Sequence, residues 1–176
     1  MPSPIAHALA GLALYLAVSP PTWPAPRWGP ALLCVAAAGA ADLDFVAGFA
    51  IGDGNRFHQG PSHSLAVALA LGVALAGLPI RSLGGWTRRW ALFTALALSH
   101  LALDLVTRDA RPPYGIPLLW PFSTAHVHSS FDLFPNMERG SFAVALAPGN
   151  WRALATELVW LGPVVAATAL YRLRRR

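Results

Sequence analysis

Seven side chains of this sequence are metal-binding types set in an otherwise apolar chain: His7, Asp42, Asp44, His58, His63, His100 and Asp104. Imidazole nitrogens with carboxylate oxygens suit Zn²⁺, Fe²⁺, Mn²⁺ or Ni²⁺, and the single Cys34 argues against a thiolate zinc module. His100 and Asp104 stand four apart on one helical face, where both reach one ion or two adjacent ions. Asp42 and Asp44 would diverge on an ideal helix, so the helix is expected to end or distort there. Three carboxylates and four imidazoles gathered without a cation would repel or stay unsatisfied. Seven donors exceed what one tetrahedral ion needs, so two or more divalent transition-metal ions are expected. Zinc is the first choice, with Asp104 or one of Asp42 and Asp44 bridging. Such sites polarise an oxygen and activate water for hydrolysis.

Other polar residues carry weaker expectations. Glu157 reads as a general acid or base, an outer carboxylate of the site, or a partner for Arg152, so Asp42, Asp104 and Glu157 are the candidate catalytic carboxylates. His126 and His128 form a His-Xaa-His pair, read as loop contacts to substrate more than as ligands. Arg108 and Arg111 could grip a phosphate but suit interface anchoring better. Ser62 and Ser64 read as helix caps, and Cys34 as a buried small residue.

The elements that must position these groups follow from composition. Of 176 residues, 55% are hydrophobic and only 12% charged, against roughly 45–50% and about 25% in a soluble domain. Intrinsic disorder is excluded by the low charge and a disulfide framework by the lone cysteine. The net charge of +5 comes from thirteen arginines, and these flank apolar runs instead of forming a basic patch, so no nucleic-acid partner is expected. Apolar runs at about 5–18, 30–51, 63–79, 89–107 and 153–171 predict an all-α integral membrane bundle of about five transmembrane helices, a single domain over 1–176. The first run has no Arg or Lys before it and reads as a mature helix, not a secretory signal. The Pro-rich stretch 108–151 reads as a long extramembrane loop with a short amphipathic or re-entrant piece near Ile116–Phe122. Its aromatics, among them Trp120 as a roof over the site, suit the membrane interface.

If five segments cross alternately, His7, Asp42, Asp44, His58, His63, His100, Asp104 and Glu157 all fall at one membrane face. Eight arginines lie on the opposite face and five on this one. The positive-inside rule then puts the site outside the cytoplasm and the C-terminus inside, in a multi-pass inner-membrane protein.

The series Ala6-His7, Ala41-Asp42-Leu43-Asp44, His58-Gln59-Gly60-Pro61-Ser62-His63-Ser64, Ser99-His100-Leu101-Ala102-Leu103-Asp104 and Leu119-Trp120-Pro121-Phe122 resembles the DUF457 family of small inner-membrane proteins. That family is described as membrane-bound metal-dependent hydrolases, with some members labelled LexA-binding. Its pattern runs Thr-His, Pro-Asp-Xaa-Asp-His, His-Arg-Gly-Xaa-Thr-His-Ser, Ser-His-Xaa-Xaa-Xaa-Asp and Trp-Pro-Phe, matched here over about 6–122. Departures fall at Ala6, Ala41, Phe45 and Gln59; the last removes a positive charge available to an anionic substrate. The ligand set is also loosely similar to that of zinc-dependent phospholipase C and P1-type nucleases, which implies phosphoester hydrolysis and a lipid or phosphoester substrate. Ion or proton transport through buried His and Asp is the rival reading, and a non-catalytic membrane regulator a third.

Overall fold

In a computed structural model of the chain, residues 1–19, 27–53, 55–110, 112–138 and 147–174 are described, and among them the structure is helical apart from two isolated β-bridges. Helix α1 (Pro4–Val18) starts at Ser3, whose hydroxyl accepts from the N–H groups of Ile5 at 3.1 Å and Ala6 at 3.3 Å. Pro4 takes the first helical position, where no N–H is needed. Helix α2 (Trp28–Ala38) stops at Gly39; the chain tightens into a 3₁₀ turn, Ala40–Leu43, and leaves as α3 (Asp44–Ala50). The axis bends by 70° there. The predicted distortion around Asp42 and Asp44 is thus a true break.

Helix α4 (Leu65–Ala76) follows a 3₁₀ turn, Pro61–His63, and is capped by Ser64, which accepts from Val67 N–H at 3.3 Å. Helix α5 (Trp86–Leu105) packs against α1, α2 and α4, and α6 (Pro148–Arg174) packs against α1. Two glycines allow close packing between helices. A Cβ on Gly72 of α4 would lie 2.0 Å from Thr94 Oγ1 of α5, and one on Gly11 of α1 would lie 2.9 Å from the Cys34 carbonyl of α2. Cys34 is fully buried, as its small apolar character predicts. At the far end of α5, Arg88 donates to the Val18 carbonyl, and Arg89 donates to the carbonyls of Ala76 at 2.9 Å and Gly84 at 2.7 Å. These cations satisfy carbonyls left open at the ends of α1 and α4.

Each apolar run falls on helix, but the five-span expectation is too simple. Among the described residues, only α6 is long and apolar enough to cross a membrane, or two segments if the bent α2–α3 pair is one span. Helix α4, with 12 residues, rises about 18 Å, against a hydrocarbon core of about 30 Å. Helix α5 has 20 residues but opens on Arg88 and Arg89 and ends on His100 and Asp104. Only 11% of the apolar window of α6 is buried, and Leu158, Val159, Trp160, Val164 and Leu170 face outward. Such a continuous apolar surface suits lipid rather than water.

The long loop folds back on the end of α5. Arg108 N–H bonds the Phe134 carbonyl at 2.9 Å and Leu133 N–H the Val106 carbonyl at 2.7 Å. Ile116 pairs with Val127, and the short amphipathic or re-entrant piece expected around Ile116–Phe122 forms turns. Leu65 N–H bonds the Leu118 carbonyl at 3.0 Å, tying these turns to the start of α4. Arg111, Arg139, Arg175 and Arg176, used above for phosphate binding or charge counting, lie outside the described residues.

Candidate metal centre

The break after α2 positions the site. A continuing helix would bond Asp42 N–H to the Ala38 carbonyl; instead it bonds Gly39 at 3.2 Å. The Ala38 carbonyl, released from the ladder, accepts from His100 Nδ1 at 2.8 Å. That bond makes Nδ1 the donor and turns Nε2 inward. His63 is held the same way: its Nδ1 lies 3.0 Å from Ser62 Oγ and 3.3 Å from Asp44 Oδ2, which turns Nε2 inward.

The two inward nitrogens stand 3.3 Å apart. Asp104 Oδ2 lies 3.3 Å from His100 Nε2 and 3.4 Å from His63 Nε2, and Asp42 Oδ1 lies 3.6 Å from each. Ligand atoms around a tetrahedral ion with bonds of about 2.0–2.2 Å are separated by about 3.3–3.6 Å. His63, His100 and Asp104 therefore present three donors at the spacing such an ion requires, and Asp42 groups separately with His58 and His63 and with His7 and His100. The other carboxylate oxygens face His7: Asp104 Oδ1 is 3.7 Å and Asp42 Oδ2 4.0 Å from His7 Nε2. The His7 ring stacks on His100, with centroids 3.8 Å apart. Asp42 and Asp104 are thus placed to bridge two adjacent positions.

A divalent cation or protonated imidazoles would each offset the charge of Asp104. The Asp104 side chain is fully buried, and neither oxygen accepts a well-formed hydrogen bond among the described residues. A bare carboxylate in such a position is costly, and imidazole lone pairs turned toward one another add repulsion. The donor set fits zinc or a similar divalent ion.

Asp44 and His58 stand on the outer side of the cluster, where His58 groups with Asp42 and His63. Asp44 is behind the imidazoles: His58 Nδ1 lies 2.9 Å from its Oδ1, and Ser62 Oγ donates to its Oδ2 at 2.7 Å. It orients histidines more directly than it could meet an ion, and Ser62 serves it instead of capping a helix. His58 is at the edge. Its Nδ1 faces Asp44, with Asp42 Oδ1 at 3.8 Å, and its Nε2 touches the Met1 sulfur. Its ring stacks on Phe45 at 3.7 Å, so this departure from the family pattern supplies an apolar support.

Glu157 does not join the cluster. It is completely buried against Ser3, accepting from the Ser3 N–H at 2.6 Å and from the Ser3 hydroxyl. It clamps α6 to the start of α1 and has no direct place among the metal donors. His128 bonds the Thr107 carbonyl at 3.1 Å, so the His-Xaa-His pair does not form a chelate among the described residues. Gln59, with a positive φ of 59°, donates to Asp109 Oδ2 at 2.9 Å, as does Gly115 N–H at 2.8 Å. Position 59 thus ties two loops together.

A cleft of about 780 Å³ opens beside the cluster, lined by 55–61, 109–110, 112–113 and 136–138 with Met1. His58 belongs to both cleft and cluster. Trp120, expected as the roof, does not line the cleft. Sequence reasoning missed Ser3, Ala38 and Asp109, whose parts depend on backbone positions that residue type does not reveal.

No curated protein and no solved structure matches the chain. The family model for the YdjM inner membrane protein matches residues 1–175. The motif resemblance anticipated an inner-membrane family; the DUF457 name and the hydrolytic activity attached to it are a separate matter. Spanning nearly the whole chain, the match shows that this protein belongs to the YdjM inner membrane protein family.

Proposed function

We propose that this chain is a multi-pass membrane enzyme that hydrolyses an ester or phosphoester, lipid-linked or soluble, at a His/Asp metal centre. The observation that carries the reading is Asp104, a fully buried carboxylate with imidazole nitrogens of His7, His63 and His100 at 3.3–3.7 Å and no well-formed hydrogen bond among the described residues. His63, His100 and Asp104 would hold one divalent ion, zinc by donor type. His7 with the remaining carboxylate oxygens would hold a second. When bound, such ions supply Lewis acidity and lower the pKa of water.

The chain's own groups do the rest. The Ala38 carbonyl holds the Nδ1 proton of His100, and Asp44 with Ser62 holds the Nδ1 side of His63. Asp42, 16% exposed where the Asp104 side chain is fully buried, is the donor carboxylate nearest solvent and the one placed to exchange protons with it. Helices α1, α4 and α5 exclude bulk water from the buried side of the cluster. The donors gather at the Asp104 end of α5; Arg88, sixteen residues earlier, is about 24 Å away along the axis. Ion conduction would need donors strung along that length, so the clustering supports an enzyme at one membrane interface. The arginine distribution supports placing that interface outside the cytoplasm, with the C-terminus inside.

The test is metal content by mass spectrometry on detergent-purified protein beside the double variant His100→Ala/Asp104→Ala, with helicity checked by circular dichroism. At least one equivalent of transition metal per chain, lost in the variant together with hydrolysis of phosphoester probes, is the expected result. A chelator-free preparation that takes up no metal on reloading overturns the reading.

A further inference from the structure

Among the described residues, Arg56 is the arginine that lines the cleft beside the cluster. Arg56 lines it two residues before His58, its side chain exposed, and no ion pair engages it among the described residues. The cleft's acid at Asp109 is tied by Gln59 and Gly115 instead. The guanidinium therefore faces a cavity whose neighbour, through His58, is a cluster whose donors suit divalent cations. A ligand bridging the two must carry negative charge at one end. A planar guanidinium pairs best with phosphate or carboxylate, by two parallel hydrogen bonds.

The other walls narrow the choice. Asn55, Gln59 and Asn136 offer amide donors and acceptors, and Glu138 an acceptor, which suits a hydroxyl-bearing head group rather than an apolar body. A cleft of about 780 Å³ is within the usual range for one small molecule or one lipid head group. The stretch that leads from the 3₁₀ turn through α3 to Phe57, which lines the cleft, is apolar: Leu43 is 66%, Val46 63%, Ile51 56% and Phe57 45% exposed. In an inner-membrane protein that stretch is where an acyl tail can lie while its head enters the cleft.

We propose that Arg56 and this cleft form the recognition site for a phosphate-bearing polar head group, which they present to the His/Asp cluster. The substrate class is then a phosphoester with a hydroxylated head, either on a lipid or free in solution. This rests on the metal-centre reading for what happens to the phosphate, but the binding itself stands on the cleft.

Binding is measured on the full chain in phosphatidylcholine nanodiscs. One arm adds 10 mol% phosphatidylglycerol and counts retained lipids by native mass spectrometry; the other adds soluble glycerol 3-phosphate and uses calorimetry. Arg56→Gln is expected to weaken binding about tenfold, the worth of one charge-assisted contact, and Arg56→Lys to restore part of it. Binding of the lipid alone assigns the lipid source, and equal binding of the soluble probe assigns the free phosphoester; both support the site. Wild-type protein that retains neither probe, or Arg56→Gln that binds as wild type does, overturns it. Metal content on the same preparations separates the two readings. Arg56-dependent binding in a chain that takes up no metal keeps the cleft and discards the metal centre; full metal with binding indifferent to Arg56 does the reverse.

Discussion

Asp104 and Asp44 are both carboxylates near imidazoles, yet their geometry gives them different work. Asp104 presents both oxygens to Nε2 atoms, whereas Asp44 presents its oxygens to the Nδ1 atoms of His58 and His63. Asp104→Ala is therefore expected to abolish metal uptake, while Asp44→Asn should lower affinity by about 10–100-fold and leave a full complement at saturating metal. Competition with a graded series of chelators reads the difference; equal loss in both variants would make Asp44 a ligand after all. The residue types and the spacing of His100 with Asp104 were legible in the sequence because a helix maps i and i+4 to one face. Which nitrogen of each ring turns inward was not, because it depends on the Ala38 carbonyl and on Ser62. Gln59 misled for a similar reason: its partner Asp109 is 50 residues away and adjacent only in the fold.

Among the elements, the clamp between α6 and α1 is the most exposed to test. Glu157→Ala would leave the buried N–H and hydroxyl of Ser3 without their acceptor, at a cost of about 1–3 kcal/mol. A lower thermal midpoint in detergent with metal content unchanged is expected; loss of metal at preserved stability would return Glu157 to the site. Gly72→Val forces side-chain carbons into Thr94, whose Oγ1 already lies within 2.0 Å of a Cβ there. Overpacking of this kind costs typically about 1–3 kcal/mol, and a paired Thr94→Ala should recover part of it, read as denaturation midpoints. Helix existence was readable from the apolar runs. The break at Gly39 was only half readable: the Asp-Xaa-Asp pair signalled a distortion, but its 70° bend and the carbonyl it frees arise from contacts with α5.

For the whole molecule, orientation is the prediction that separates readings most cheaply. Phe122 is 93% exposed on the loop beside the site face, and the native Cys34 is fully buried. Phe122→Cys should therefore react with a membrane-impermeant maleimide in intact cells, with Cys34 as a silent background. Labelling only after the membrane is opened would put the site face in the cytoplasm and reverse the arginine reading. Arg88 and Arg89 bond helix-end carbonyls and Arg172 is 4% exposed, so these cations do more than anchor an interface. Composition and spacing alone dictated a membrane chain of apolar helices with its His and Asp residues converging at one end, because hydrophobic content and alternation along a chain are local properties. The tertiary structure decided that His63, His100 and Asp104 meet at a spacing one ion could take, that Asp44 and Glu157 lie outside that set, and that an arginine shares a cleft with His58. Those are distances between side chains from different helices, and they are set only when the helices pack.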